Sequence, residues 1–454
     1  MRRQLAQPKE AGLMRFESVH LTNYRCHRDL HVAFKPGFNV VVGVNGSGKT
    51  SLLKALCDAL LTGFSQYMSI SSVVAMDDPN VATLLGHADH GRIRFESQYP
   101  VKVVAVAEVF DHESVCIWTT QRTSQVDGAV SGGTPPGLVW QGIQQAVGPT
   151  AQTTRAKSSL PIMAFYRANR HWSQSQPQEI QAAATRSGRT DGYASWWDAS
   201  LDATALQAWV IGKCLERFQT SSETGVAFDA IDNDELALVN RALGDAVEGA
   251  KGLKYDLKQK SLLMEWRSLG DNDRQPTAFE NLSDGQRAVI GLVADIARRM
   301  CLLNPQLGWD VTQKTPGVVL IDELDMHLHP RWQRILTSGL KRAFPAVQFI
   351  VASHSPQVLG ELRPDEIILL RNGQTDHPQV SYGLTSSQVL EEIMGADART
   401  SDVQAQLDAL FEDLERGELP SAQRRLTALE SIAPGIPELS GARALLRRKE
   451  VLGR

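Results

Sequence analysis

The sequence predicts an α/β fold: a mixed sheet with helices on both faces and an antiparallel layer beside it, interrupted by a helical insertion and followed by a C-terminal helical tail. Three observations lead there. Residues 38–42, the run ending in Asp322-Glu323 and the run ending in Ser353-His354 are apolar almost throughout, as strands of a parallel sheet covered on both faces are. Between the first of these runs and Ser51-Leu52-Leu53-Lys54-Ala55-Leu56 stands the glycine-rich stretch Gly43-Val44-Asn45-Gly46-Ser47-Gly48-Lys49-Thr50, which reads as strand, loop and helix. Residues 173–274 and those after Ala396 turn instead to helical periodicity.

Composition narrows the class. A chain of 454 residues buries a core without disulfide help, and a formal net charge of -4 excludes a uniformly basic nucleic-acid binder, so any DNA contact must be local. Cys26, Cys57, Cys116, Cys214 and Cys301 are scattered, with neither zinc spacing nor a disulfide framework. Met1-Arg2-Arg3-Gln4 lacks the apolar core of a signal peptide, and no apolar run reaches a membrane span of about 18 residues. A cytoplasmic protein that does not span a membrane is expected.

Taken in order, the residues before Met14 read as a disordered lead or an upstream start site. Val19, Leu21 and Tyr24, then Leu30, Val32 and Phe34, alternate as two strands joined around Arg25-Cys26-His27-Arg28. The glycine-rich stretch follows, and its chemistry is specific. Glycines let successive amides curl around phosphate oxygens and the helix start adds partial positive charge; Lys49 reaches the terminal phosphates and the Thr50 hydroxyl can ligate Mg²⁺. Gly43, Asn45, Gly46, Ser47, Gly48, Lys49, Thr50 and Ser51 are therefore the candidate nucleotide-binding residues. Residues 92–96 and 101–110 read as strands of the antiparallel layer, and residues 123–159, rich in Ser, Thr, Gly and Gln, as a surface loop with one short helix near Trp140. Residues 161–166 form a buried strand. In the helical insertion that follows, Trp196, Trp197 and Trp209 read as packing or as a partner surface, and residues 262–266 as a strand. Asn281-Leu282-Ser283-Asp284-Gly285-Gln286-Arg287 opens a helix with Val289, Leu292, Val293 and Ile296 on one face. The chain divides into 14–170, the 171–275 insertion, 276–395 and the 396–454 tail.

Phosphate loop, Leu282-Ser283 with Gly285-Gln286, Asp322-Glu323 and Ser353-His354 occur in one order, and together they resemble the ATP-binding-cassette (ABC) ATPases. The resemblance implies ATP and Mg²⁺ as cofactors, Mg²⁺ held by Thr50 and Asp322, Glu323 polarising the attacking water, and His354 touching the γ-phosphate. It implies that Ser283, Gly285 and Gln286, at a helix N-terminus, complete the ATP site of the opposite subunit, so that a homodimer sandwiches two ATP molecules. Arg25 lies in the hairpin that sits beside the nucleotide in such ATPases; a solvated turn arginine is the equal alternative. No glutamine occupies the place of the usual glutamine loop, where Tyr166-Arg167 stands.

Asp322-Glu323-Leu324-Asp325-Met326-His327-Leu328-His329-Pro330 is similar to the element of the OLD and RecF-like ATPases, an SMC-related AAA group, and reads as their loop rather than as a metal site at His327 and His329. Tyr382-Gly383-Leu384, Glu391-Glu392-Ile393-Met394-Gly395 and Arg399 resemble the predicted ATPases that include PtuA of the Septu anti-phage system and the retron-associated ATPases. That resemblance implies an anti-phage complex in which this chain scaffolds a separate HNH-type endonuclease, with no nuclease expected in its own residues after Arg371. A RecF-like repair ATPase on duplex DNA and an ATP-stabilised scaffold with little turnover remain as alternatives. In the tail, Val403, Leu407, Leu410 and Leu414 mark one amphipathic helix closed by Gly417, and Pro420 and Pro437 open two more. These stripes are expected to pack against one another and the ATPase domain over part of their surface, and the tail is expected also to supply a docking surface for the partner.

Overall fold

The structure is a computed structural model, and it describes residues 14–64, 75–89, 92–109, 115–126, 130–132, 159–168, 188–267, 275–396 and 399–452. The residues before Met14 and those around Trp140 lie outside this set. The chain forms two compact units, one ending at Leu384 and the other starting at Thr385.

The first unit is built on a six-stranded sheet, in the order Gln374–Asp376, Ile367–Arg371, Phe38–Val42, Val347–Ala352, Gly317–Ile321 and Ile162–Tyr166. All neighbours run parallel except the edge strand Gln374–Asp376, which pairs antiparallel to Ile367–Arg371 and makes the sheet mixed. The apolar runs behave as their composition requires: every residue of Phe38–Val42, Ile162–Tyr166, Gly317–Ile321 and Val347–Ala352 is buried. Register then sets the function-bearing edge. Ile321 lies beside both Tyr166 and Val351, and Ala352 beside Val41, so Gly43, Asp322 and Ser353 leave the sheet at the same carboxyl edge.

The antiparallel layer runs His27–Ala33, Met14–Tyr24, Val101–Val109, Cys116–Arg122 and Val130–Gly132, and burial alternates along Val101–Val109 because one face covers the core. Helix Lys49–Phe64 packs on both sheets. The Gln348 side-chain amide joins the layers: it accepts from the Phe16 amide (2.8 Å) and donates to the carbonyls of Phe16 (2.8 Å) and Lys35 (2.9 Å). Two expectations are corrected here. Arg92–Ser97 pairs with Leu84–Asp89 as a separate hairpin rather than within the layer, and Val130–Gly132 extends the layer where a loop is expected. Both segments are short and polar, so alternation alone does not assign them to a sheet.

The insertion has helices Ala203–Thr224 and Glu235–Ala246, the second capped by Asp234, whose carboxylate accepts from the Ala237 amide at 2.8 Å. It also holds a hairpin, Ala250–Asp256 with Ser261–Trp266, so it is not wholly helical. Trp196 and Trp209 are buried, which makes them packing residues rather than a partner surface.

In the second unit, helices Ser401–Arg416, Leu419–Ile432 and Pro437–Leu452 bury one shared core that includes Leu407, Leu410, Leu414, Leu426, Leu429 and Leu446. Gly417 closes the first helix at φ 78°, the left-handed conformation that suits glycine. The three apolar stripes bury one another, while Ile432, Leu445 and Val451 of the same helices stay exposed. No helix among the described residues is long and apolar enough to cross a membrane.

Candidate nucleotide site

The glycine-rich stretch forms the turn between strand Phe38–Val42 and helix Lys49–Phe64. Two glycines are dictated by close approach. A Cβ on Gly43 would lie 2.5 Å from both the Leu370 carbonyl oxygen and Ser47 Oγ; on Gly48, at φ +98°, it would lie 2.3 Å from His27 Nε2. Lys49 folds back over the loop, donating to the carbonyls of Gly43 (2.9 Å) and Val44 (3.1 Å). Burial brings its ammonium below the ordinary lysine value, against the raising influence of Asp322, Glu323 and Asp325. Ser47 Oγ is buried without a hydrogen-bond partner.

Past the intervening strand Val347–Ala352, Thr50 Oγ1 donates to Asp322 Oδ1 at 3.1 Å. Glu323 takes φ 48° and His327 φ 61°, so the loop after the apolar strand holds two non-glycine residues in the left-handed region. The Asp325 carboxylate steadies the next loop, accepting from Ser353 Oγ (2.6 Å) and from the His354 amide (3.3 Å). His354 is held below the usual imidazole value, first by burial and then by Lys49, so its ring is neutral at neutral pH.

The structure thus gathers Gly43–Ser51, Asp322, Glu323 and His354 at one sheet edge. Ser283, Gly285 and Gln286 stand apart as the start of helix Asp284–Leu303. There Ser283 is the N-cap and shares a capping box with Gln286. Gly285 touches the loop after Asp322-Glu323, where a Cβ would lie 2.3 Å from the His327 carbonyl oxygen. Arg25, in the hairpin turn, pairs with Asp78. The phosphate loop is touched instead by the two following residues. His27 Nε2 lies 3.1 Å from the Gly48 carbonyl, and Cys26 Sγ 3.9 Å from Ser51 Oγ. Burial alone would raise the Cys26 thiol, but hydrogen bonds with His27 and Ser51 lower it. Cys26, His27 and Asp325 are contributors that the motifs do not single out. Proximity of the Arg25-Cys26-His27-Arg28 turn to the loop is the available signal for the first two; for Asp325 there is only its place two residues after Glu323.

These residues fit a magnesium nucleotide. A buried orphan hydroxyl, glycines that keep the turn open and a buried lysine suit phosphate oxygens, while the threonine–aspartate pair offers hard oxygen ligands of the kind Mg²⁺ takes beside phosphates and water. Among the described residues no cluster of three or more His, Cys, Asp and Glu could cage a metal alone. His329 caps helix Pro330–Ala343 through Nδ1, which accepts from the Arg331 amide at 3.3 Å.

Fold and site together define a nucleotide-binding domain of the AAA class. The chain belongs to the AAA-domain family, whose model matches residues 18–263; a second AAA-domain model matches residues 228–360. It is similar to the "Retron Ec83 probable ATPase" of Escherichia coli, 27% identical over 449 residues, covering 86% of this chain and 77% of the relative. It is also similar to the "Septu protein PtuA" of Bacillus thuringiensis, 31% identical over 143 residues, but there the match spans only 30% of this chain and 36% of the relative. A solved SMC head bound to the C-winged helix domain of ScpA covers 80% of this chain and 97% of its own at 14% identity and a TM-score of 0.45.

Proposed function

We propose that this chain binds and hydrolyses MgATP as a component of an anti-phage complex, closing as a homodimer around two nucleotides and thereby regulating a partner HNH-type DNA endonuclease. The observation that carries the reading is the Thr50–Asp322 hydrogen bond of 3.1 Å, which joins phosphate loop and acidic strand end past the intervening strand Val347–Ala352. Gly43, Asn45, Gly46, Ser47, Gly48 and Ser51 form the turn that receives the phosphates, while Lys49 exchanges its two carbonyl partners for phosphate oxygens. Thr50 and Asp322 would hold Mg²⁺, which would supply positive charge beside the terminal phosphates. Glu323 accepts the proton of the attacking water, and neutral His354 has a ring nitrogen available to orient that water at the γ-phosphate. Ser283, Gly285 and Gln286 of a second copy close the site with a helix N-terminus. Arg25 immediately precedes Cys26-His27 and is assigned to the nucleotide's surroundings.

The retron and Septu similarities support the defence setting and the nuclease partner. Glu323→Gln tests the chemistry: hydrolysis falls by about 100-fold or more while ATP stays bound, because the carboxylate base is lost and its volume kept. Parental turnover in this variant would overturn the assignment. Capture of an HNH nuclease by the tagged full chain tests the partner, whereas salt-sensitive duplex binding by the chain alone favours the RecF-like reading.

A further inference from the structure

A buried ionic cluster connects the signature helix to the acidic strand end. Asp295 lies in the interior of helix Asp284–Leu303 and is 1% exposed. Its Oδ1 accepts from Arg298 Nε (3.0 Å) and Nη2 (2.7 Å), and its Oδ2 from Arg299 Nε (2.7 Å) and from the Tyr166 hydroxyl (2.7 Å). Arg299 is itself tied to the insertion, donating to the carbonyls of Gly192 (3.1 Å) and Ala194 (2.7 Å). Burial would raise the Asp295 carboxyl, but Arg299 and Arg298 override it and keep the group anionic. Burial pushes the Tyr166 phenol well up, so it remains a neutral donor.

Tyr166 is the last residue of strand Ile162–Tyr166, and at its other end it does something the cluster alone does not explain. Its carbonyl accepts from the Asp322 amide at 2.8 Å, continuing the sheet one residue beyond the Ile321–Tyr166 pair. The same residue is thus held by Asp295 through its hydroxyl and holds Asp322 through its backbone.

We propose that Tyr166 is a positioning residue for the Mg²⁺-holding carboxylate of Asp322, and that Asp295 makes this positioning answer to the signature helix. The inference rests on the assignment of Asp322 to the metal. Movement at the Ser283 end of the helix would be passed through Asp295 and Tyr166 to the Asp322 backbone, so engagement of a second copy's nucleotide would be felt at the chain's own metal ligand. Buried, fully hydrogen-bonded charges in a packed interior suit this role, since none can shift without its partners.

The strand supplies its own control. Tyr193 is also buried, and its hydroxyl donates to the Pro161 carbonyl at 2.8 Å, at the opposite end of the same strand and away from Asp322. The experiment measures binding of a fluorescent ATP analogue with excess Mg²⁺ and with EDTA, for the full-length parent, Tyr166→Phe and Tyr193→Phe, beside thermal melts. Both variants lose one buried hydrogen bond and should melt slightly lower. Only Tyr166→Phe should reduce the Mg²⁺-dependent gain in affinity, by about fivefold, the worth of one hydrogen bond, with affinity in EDTA within about twofold of the parent. Asp295→Asn should reproduce that reduction, and the double variant should add little to either single change. An unchanged Mg²⁺ gain in Tyr166→Phe, or an equal loss in Tyr193→Phe, overturns the inference alone. A parent that binds no nucleotide overturns the ATPase reading and this inference with it.

Discussion

At the carboxyl edge of the parallel sheet, the nucleotide-facing side chains are held by other parts of the same chain; at the start of helix Asp284–Leu303 they close on themselves. Thr50 reaches Asp322 across strands, Asp325 holds Ser353 and the His354 amide, and Lys49 rests on loop carbonyls. Ser283, in contrast, gives its amide to Gln286 Oε1 (3.1 Å) and receives the Gln286 amide on its hydroxyl (3.3 Å); Ser283 is exposed and Gln286 half-buried. The first group gathers the glycine-rich turn, lysine, threonine and carboxylates at one edge of a single chain. The second is a self-capped helix start, and the composite site proposed above rests on that contrast.

Gly285→Ala strains the link between the two regions most. Its Cβ would meet the fixed His327 carbonyl, so we expect about 1–3 kcal/mol of destabilisation by thermal melting, and hydrolysis falling more than nucleotide binding does. Unchanged stability together with parental turnover would mean that the two regions are not packed as described.

A smaller effect separates His354 from the signature. Its folded value is depressed below 6.5, so the neutral ring persists under mild acid and protonates only as pH falls through that lower value. Between the two values the unfolded chain takes the proton first, and acidification therefore costs stability. The acid limb of kcat/KM assigned to His354 should lie below pH 6.5 and vanish in His354→Gln, with Ser283 variants leaving its position unchanged. A limb that persists in His354→Gln belongs to another group.

Much of this was legible in the residues. Continuous apolar runs mark the parallel strands because burial on both faces leaves no polar position, and glycine, lysine and carboxylates at their ends mark the edge. The tail was legible from Leu407, Leu410, Leu414 and Gly417, whose spacing alone fixes a helix and its end. What spacing does not carry is the pairing of short polar segments. Arg92–Ser97 joins Leu84–Asp89 instead of the layer, and although 262–266 reads as a strand, its partner Ala250–Asp256 does not, because Lys251, Lys254 and Asp256 dilute the alternation. Long-range polar contacts are equally silent: Tyr166 and Asp295 are 129 positions apart, and neither belongs to a motif.

The composite site is tested most directly by mixing two inactive chains. Ser283→Arg keeps its phosphate loop and loses its signature; Lys49→Ala keeps its signature and loses its phosphate loop. Each alone should hydrolyse little ATP, although Ser283→Arg should still bind it. The mixture should regain hydrolysis, because a mixed dimer pairs one intact phosphate loop with one intact signature. Parental hydrolysis by Ser283→Arg alone, or no recovery when both folded chains demonstrably mix into dimers, would contradict a site shared between copies.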